Sequence, residues 1–264
     1  MKAIWLTILT LILSFATQAQ TVLFSRSAAF RQPSALADVA LWFRANDIAG
    51  ADGSAVSSWT ARTGQTATQV TGSKQPTLQT SEVNGRSAIL SDGTNDWLTL
   101  SAAVSAASDF TAITVQKRSA SGSLGCVVGS SYLTGGTDIG PPYSVYEYGP
   151  LTRTYIGSRT DQKYYAGLPS HAYHVLTVHT SSGTLALWID GVSQSLNAAA
   201  ATSSGNFDML FSRGNGGSPG TSAEYWAVYA SEILIWTRAL STAERQAVED
   251  WLGSSSEYNI TITH

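Results

Sequence analysis

The chain is poor in cysteine, in charge and in long hydrophobic runs. Only one of its 264 residues is a cysteine, so an internal disulfide cannot form. Charged residues make up 12% of the chain, and the net charge is −3. Nucleic acids and anionic lipids are bound by basic surfaces, so neither is expected as a partner. Beyond the first 20 residues, no apolar stretch approaches the roughly 20 residues that span a bilayer, and we expect no membrane insertion.

Residues 1–19 have the features of a secretory signal. A positive start at Lys2 precedes an apolar stretch over residues 4–13, and Thr17-Gln18-Ala19 is a plausible cleavage site. We therefore expect residues 20–37 to form a lead-in segment and residues 38–260 a single domain. The expected location is secreted, either extracellular or periplasmic.

Short strand-like segments recur between residues 40 and 237, separated by clusters of Gly, Asn, Asp and Ser. No segment of helical period interrupts them, which argues against a parallel βαβ sheet. Residues 173–180 and 185–189 predict a hairpin, and Asp190-Gly191 predicts a tight turn after it. In the second strand, Trp188 faces away from the Leu/Ile stripe, either beneath another layer or on an open sheet face.

The last fifth of the chain predicts one long strand followed by one helix. Residues 224–237 are mostly apolar, as in a central strand, and Ser241 with Glu244 forms a capping box. The expected apolar stripe of the helix is Ala247, Val248, Trp251 and Leu252, with Gly253 as a left-handed C-terminal residue. The predicted fold is all-β: a two-sheet antiparallel jelly-roll β-sandwich closed by one short C-terminal helix.

The acidic residues do not suggest a catalytic pair. A glycosidase needs two carboxyl groups about 5–10 Å apart, whereas Glu224 and Glu232 lie about 26 Å apart on a strand at ~3.3 Å per residue. No Glu-x-Asp-x-Glu run is present. We assign no catalytic residue, and Glu147, Glu224 and Glu232 are the acids to test if the chain is an enzyme.

Asp92-Gly93-Thr94-Asn95-Asp96 is the segment best suited to an ion. Asp92, Asn95 and Asp96 supply the hard oxygen ligands that Ca²⁺ prefers, so Ca²⁺ is the one candidate cofactor. The favoured alternative is a turn in which these side chains accept hydrogen bonds from backbone amides. His171, His174 and His179 are too widely spaced for one metal, and we expect hydrogen-bonded structural roles for them.

A tyrosine-rich stretch over residues 141–166 suggests sugar binding. Aromatic faces flanked by hydrogen-bonding side chains suit the C–H faces and hydroxyl edges of sugar rings. Tyr143, Tyr146, Tyr155 and Trp188 are the candidate ligand-binding residues. The alternative is that these tyrosines pack within strands and loop bases.

Four segments, taken in order, resemble one known family: residues 40–45 with 56–59, residues 84–90 with 92–96, residues 187–192 and residues 231–241. Together they are similar to laminin-G-like (LamG-like jelly-roll) members of the concanavalin A-like lectin/glucanase superfamily. In that family the closing strand is followed by a helix that begins Ser-x-x-Glu, as at Ser241 here. Asp92 and Asp96 match the family's Asp-Gly-x-x-Asp turn.

The resemblance implies two antiparallel sheets, one of them concave, and a binding module rather than an enzyme. The expected function is carbohydrate binding or cell-surface adhesion without catalysis, with a glycan or a cell-surface protein as the partner. One alternative is a glycoside hydrolase or polysaccharide lyase on the same fold. Another is a structural subunit of an extracellular assembly.

Overall fold

A computed structural model of the chain describes residues 32–106, 109–119, 127–129, 146–147, 154–156, 163–165, 171–196, 205–213, 224–225 and 227–264. Everything below concerns the unit Ser34–His264. In the part of the chain so described, no helix is both long and apolar enough to cross a membrane.

The described elements are strands, apart from three short 3₁₀ helices and one α-helix. The 3₁₀ helices are Ser34–Asp38, Ala45–Asp47 and Gly72–Lys74. The strands are β1 (Leu41–Arg44), β2 (Ser58–Thr60), β3 (Thr66–Thr68), β4 (Thr77–Val83), β5 (Arg86–Asp92), β6 (Leu98–Ala106), β7 (Phe110–Arg118), β8 (Val128–Gly129), β9 (Tyr146–Glu147), β10 (Thr154–Ile156), β11 (Lys163–Tyr165), β12 (His174–Ser181), β13 (Thr184–Ile189), β14 (Val192–Gln194), β15 (Gly205–Leu210), β16 (Ser212–Arg213), β17 (Glu224–Tyr225) and β18 (Ala227–Trp236). The α-helix, α1, is Thr242–Gly253.

Two antiparallel sheets make the sandwich. The large sheet has the order β14-β13-β12-β7-β18-β5-β4, and β1 also pairs with β18. The small sheet has the order β2-β3-β6-β15-β8. Two short ladders, β11-β10-β9 and β16-β17, lie outside these sheets. The predicted β-sandwich with a single C-terminal helix is confirmed for the described residues.

Aromatic side chains hold the two sheets together. Trp59 of β2 lies between Phe43 of β1 and Phe211, with ring centroids 4.9 Å and 6.4 Å away. The Trp59 indole N–H donates to the Arg44 carbonyl, so its polar atom is satisfied inside the core. Phe110 of the large sheet meets Phe207 of the small sheet at 5.9 Å.

Strand β18 is buried on both faces, as its apolar run predicts. Val228 and Ile233 point into the core between the sheets. Leu234 and Trp236 point to the outer face of the large sheet, where they meet α1. The register slips between Ala230 and Glu232, so a β-bulge inserts one extra residue and reverses the alternation there.

Both tight turns lie where the sequence predicts them. Ser182-Gly183 closes the β12–β13 hairpin, and Asp190-Gly191 closes β13–β14. All four residues have positive φ, as a type I′ turn requires. At Gly191 an added Cβ would also lie 2.4 Å from the Thr263 carbonyl oxygen, so the C-terminal segment depends on glycine there.

Helix α1 begins as predicted and ends differently. The Ser241 amide donates to Glu244 at 2.8 Å, and the Glu244 amide donates back to the Ser241 hydroxyl. The left-handed role predicted for Gly253 is wrong, because Gly253 is the last helical residue and Ser254 continues in extended backbone. Glycine is needed at 253 because an added Cβ would lie 2.6 Å from the Ile260 carbonyl oxygen.

One further expectation about α1 is corrected. Ala247 is exposed, so the buried apolar stripe reduces to Val248, Trp251 and Leu252. Two charged residues of the helix, Arg245 and Glu249, are also buried. Both side chains face the large sheet. The interface between α1 and this sheet therefore contains an ion pair as well as apolar side chains.

Candidate functional site

The outer face of the large sheet carries two kinds of surface on either side of the bulge in β18. Beyond the bulge, Leu234 and Trp236 lie under α1 and the C-terminal segment. Before it, Tyr229 is half-buried. The candidate site is built around Tyr229, and the covered half contains the buried acid Glu232.

Glu232 lies in the covered half and is fully buried. Its carboxylate accepts hydrogen bonds from the Trp42 indole N–H and from the Tyr258 hydroxyl. Arg44 Nε lies 3.5 Å from Glu232 Oε2, and the same guanidinium also pairs with Glu257. Burial raises the pKa of Glu232 to about 7, against the opposing effects of Arg44 and the two donors. The side chain has no contact with solvent, so the alternative in which Glu232 acts on a substrate is not supported by its position.

Before the bulge, one row of side chains crosses the outer face of the large sheet. Lys117 of β7 pairs with Tyr229 of β18, which in turn pairs with Leu90 of β5. Tyr173 directly precedes β12, and its ring reaches Lys117 from the other side. Residues directly opposite on neighbouring antiparallel strands have adjacent side chains, so the row forms a continuous surface.

The two tyrosine rings enclose the lysine. Lys117 Nζ lies 4.0 Å from the ring centroid of Tyr229 and 4.8 Å from that of Tyr173. The ring centroids are 6.5 Å apart, with an interplanar angle of 67°. Both distances fall within the range of cation–π attraction, so the rings hold the ammonium group in place.

A glutamate completes the cluster. Glu82 of β4 accepts a hydrogen bond from Lys117 Nζ at 2.8 Å, and the Tyr173 hydroxyl lies 3.5 Å from the same oxygen. Burial, followed by the Glu82 charge, raises the pKa of Tyr173, so this phenol stays protonated. The Lys117 and Glu82 side chains are 22% and 24% exposed, so a ligand can reach both. We call Glu82, Leu90, Lys117, Tyr173 and Tyr229 the tyrosine face.

The predicted ion-binding segment borders this surface. Asp92 lies two residues after Leu90 on the same strand and on the same face, about 7 Å further along. Its Oδ1 accepts from the amides of Thr94 and Asn95 at 2.7 Å and 3.1 Å, and the Asp92 amide donates to Asp96 at 2.9 Å. This is the hydrogen-bonded turn of the favoured alternative.

The turn does not make a metal cluster by itself. Among the residues that the structure describes, no group of three or more His, Cys, Asp and Glu side chains could hold a metal ion. Burial raises the pKa of Asp96 to about 6, and the Asp92 amide opposes that shift. Calcium binding by Asp92, Asn95 and Asp96 stays a prediction.

The candidate tyrosines of the sequence analysis fall elsewhere. Tyr143 lies outside the described residues. Tyr146 and Tyr155 are direct partners in the β9–β10 ladder, in a three-stranded sheet completed by β11. Their side chains lie outside the description, so their role as sugar ligands stays a prediction. The same holds for Glu147 and Glu224 as candidate acids.

Trp188 lies on the outer face of the large sheet but beside α1. The Arg245 guanidinium carbon sits 4.3 Å from the centre of its ring, and the His179 ring lies 5.8 Å away. Arg245 pairs with the fully buried Glu249, which also accepts from Thr177 at 2.6 Å. Trp188 is therefore packed against α1 on one side while staying half-buried, and its role as a sugar ligand stays a prediction. Its ring already serves as the platform for Arg245.

His171 and His174 have the expected hydrogen-bonded contacts, whereas the buried His179 Nε2 has no hydrogen-bond partner among the described residues. His174 Nδ1 lies 2.6 Å from Asp190 Oδ2, which ties the start of β12 to the turn after β13. His171 Nε2 lies 3.1 Å from the Arg118 guanidinium.

A small cavity between the sheets offers little room for a ligand. Its volume is about 20 Å³, and its walls include Ala112, Thr114, Gln116, Leu176 and Phe207. The Thr114 hydroxyl donates to Gln116 at 3.0 Å, so the two inward polar groups already satisfy each other. A space of this size holds about one water molecule.

Sequence reasoning missed the residues of the tyrosine face. Lys117 and Tyr173 were visible only as ends of predicted strands, and Tyr229 as one residue of a long apolar run. The signal that could have pointed to the site is Tyr229, an aromatic residue within the apolar run of β18. It locates the site only when the pairing of β7 with both β12 and β18 is known, because that pairing brings Lys117 and Tyr173 beside it.

Comparison with known proteins shows the fold. No family model matches the chain, and no curated protein does. Among solved structures, a sialidase from Trypanosoma rangeli in complex with sialic acid is 11% identical, with a TM-score of 0.52. The match covers 82% of this chain and 33% of the sialidase, so the chain spans about a third of that protein. At this identity the likeness establishes a shared β-sandwich fold and nothing about activity.

Two other solved structures match with lower scores. One is domain 4 of AbnA, a GH43 extracellular arabinanase from Geobacillus stearothermophilus, in complex with arabinotriose. It is 13% identical to this chain, with a TM-score of 0.49, and the match covers 80% of this chain and 97% of that domain. The binding domain of botulinum neurotoxin serotype D is 9% identical, with 81% and 50% covered and a TM-score of 0.46.

Proposed function

We propose that this chain is a carbohydrate-binding module that holds glycans at the tyrosine face without chemical conversion. The observation that carries the proposal is the arrangement of two tyrosine rings around the Lys117–Glu82 ion pair on a partly exposed sheet face. Sugars present apolar C–H faces and polar hydroxyl edges, and this surface offers aromatic rings next to a charged donor and acceptor.

The fold gives the proposal a second, weaker support. The sialidase that shares the β-sandwich was solved with sialic acid bound. The laminin-G-like resemblance of the sequence, which stays a prediction, also favours a binding module. Export from the cell, expected from residues 1–19, would place the chain where extracellular glycans are found.

A non-catalytic role is supported by the position of the one candidate acid whose side chain is described. The Glu232 carboxylate accepts hydrogen bonds from Trp42 and Tyr258 and is fully buried, so it is not accessible to a ligand on the protein surface. Glu82 lies at the tyrosine face, but its described charged partner is Lys117 and not a second carboxyl group. A glycosidase would need two carboxyl groups flanking the bond to be cleaved.

The experiment is a glycan array with the full chain and two single variants. Tyr229→Ala removes a ring of the tyrosine face, and Trp188→Ala is the matched control because it removes an aromatic residue from the α1 side of the same sheet. Tyr229→Ala should weaken the binding of the best array ligand by about tenfold, the value of one aromatic contact. Trp188→Ala should leave it within about twofold.

Two results would contradict the proposal. One is a loss of binding in Trp188→Ala with normal binding in Tyr229→Ala, which would move the site to the helix side. The other is release of reducing sugar or unsaturated product from a bound polysaccharide, which would make the chain an enzyme. Circular dichroism of both variants checks that the fold is intact.

A further inference from the structure

The Lys117 and Glu82 side chains of the tyrosine face both have unused hydrogen-bonding capacity. The Lys117 ammonium and the Tyr173 hydroxyl both approach Glu82 Oε2. No hydrogen bond to the other oxygen, Glu82 Oε1, comes from the described residues. The Lys117 ammonium carries three protons and directs only one to Glu82. Lys117 Nζ and Glu82 Oε2 are 2.8 Å apart. This ion pair therefore offers a ligand both a hydrogen-bond acceptor, Glu82 Oε1, and a donor, the Lys117 ammonium.

This pairing of donor and acceptor has a simple chemical complement. A hydroxyl group can donate one hydrogen bond and accept another. Two hydroxyls on neighbouring carbons can therefore engage the pair together, one donating to Glu82 Oε1 and its neighbour accepting from Lys117. Both bonds involve a charged partner, which makes them stronger than bonds between neutral groups. The adjacent Tyr229 ring can support the C–H face of the same sugar.

The charges around the pair disfavour an acidic sugar. The positive charge of Lys117 is already balanced by Glu82, so a ligand carboxylate finds no free cation there. Asp92 adds a second negative charge along β5, about 7 Å beyond Leu90. A carboxylate placed at the tyrosine face would face two like charges and would have to displace Glu82 to reach Lys117.

We infer that the tyrosine face selects neutral sugars with two adjacent hydroxyl groups and rejects sugars that carry a carboxylate. The inference rests on the proposed function and names the class of ligand for the same site. It sets this chain apart from the sialidase that shares its fold, whose bound ligand is an acidic sugar.

The test is a calorimetric titration of the full chain with defined oligosaccharides at pH 7. Xylotriose and arabinotriose serve as neutral probes, and methyl α-sialoside and trigalacturonate, in which every sugar unit carries a carboxylate, serve as acidic ones. The neutral probe that binds best should bind at least about tenfold more tightly than either acidic probe, because one charge-assisted hydrogen bond is worth about that much.

Two variants separate the Glu82 charge from the net charge of the protein. Glu82→Gln keeps the shape of the side chain and removes the negative charge. It should weaken the best neutral probe about tenfold and bring the acidic probes to within about threefold of it. Asp250→Asn is the matched control, because Asp250 is 60% exposed on α1 and its loss changes the net charge equally. It should leave all four affinities unchanged.

The outcomes distinguish this inference from the proposed function. If an acidic probe binds the unaltered chain as tightly as the neutral ones, the inference is wrong while sugar binding stands. Equal selectivity in Glu82→Gln and the unaltered chain would also overturn it, since Glu82 would not set the preference. If none of the probes and no glycan on the array binds, the proposed function itself fails, and the inference fails with it.

Discussion

The buried Glu232 allows the strongest prediction about stability. The change is Glu232→Gln, which removes the titrating group and keeps its shape. Trp42 can still donate to the amide oxygen, and the amide nitrogen can donate to the Tyr258 hydroxyl, which is able to accept. Arg44 keeps its pairing with Glu257. The variant should therefore fold and pack as the unaltered chain does.

The magnitude follows from the pKa of Glu232, which burial raises from 4.5 to about 7. Below pH 4.5 the carboxyl group is protonated in both the folded and the unfolded chain. Between pH 4.5 and pH 7 the unfolded chain releases this proton first, so the stability of the unaltered protein falls as pH rises. The shift corresponds to about 3 kcal/mol of unfolding free energy, lost by about pH 8. Glutamine has no such loss.

The assay is urea unfolding followed by tryptophan fluorescence at pH 4.5, 6, 7 and 8. The difference in unfolding free energy between variant and unaltered chain should be near zero at pH 4.5 and should favour the variant by about 3 kcal/mol at pH 8. A difference that is flat with pH, or that turns against the variant as pH rises, would refute the reasoning. It would mean that Arg44 and the two donors outweigh burial and hold Glu232 ionised.

The matched control is the same change at a second fully buried glutamate. Glu249→Gln removes the carboxylate that pairs with Arg245, and the described residues offer Arg245 no other carboxylate. An unpaired buried charge costs about 3–5 kcal/mol, so this variant should be destabilised at pH 8. At pH 8, Glu232→Gln should raise the unfolding free energy and Glu249→Gln should lower it. That result would show that the contacts of each carboxylate, and not the loss of a negative charge alone, decide the change in stability.

Two further predictions concern the helix cap and the predicted ion site. Ser241→Ala should lower the unfolding free energy by about 1 kcal/mol, because the Glu244 amide loses its acceptor, and Ser241→Thr should restore most of it in the same thermal-unfolding assay. Treatment with EDTA, then addition of CaCl₂, should leave the melting temperature unchanged, because backbone amides already bond the Asp92 and Asp96 carboxylates. A rise on adding CaCl₂ would instead establish these residues as calcium ligands.

Local rules account for the parts of the fold that the sequence predicts. Asp190-Gly191 predicts its turn because both residue types readily adopt positive φ, and the gap between residues 180 and 185 predicts the turn that contains Gly183. The Ser241 cap is likewise local. The ends of the predicted strands differ from the observed ends by a few residues. Short strands such as β3 and β14 were not predicted, because such strands form only where a neighbouring strand pairs with them.

The candidate site depends on long-range pairing, and for that reason the sequence could not locate it. Lys117 and Tyr229 are 112 positions apart in the chain and meet only because β7 lies beside β18. Strict alternation along β18 places Glu232 on the face opposite Tyr229. The bulge between Ala230 and Glu232 reverses that and brings Glu232 to the same face, where it lies under the cover instead of at a site.

The same bulge divides β18 into a half that is covered by packing and a half that carries the proposed binding face. Before it, β18 pairs with β5 and presents Tyr229 beside Lys117. After it, β18 pairs with β1, and its outward residues are covered by α1 and by Tyr258. The buried charges lie on the covered side, where Arg44 and Glu257 tie the C-terminal segment to the sheet. A ligand at the tyrosine face therefore rests on a strand whose other half is anchored, so its aromatic and charged groups are held in position before binding.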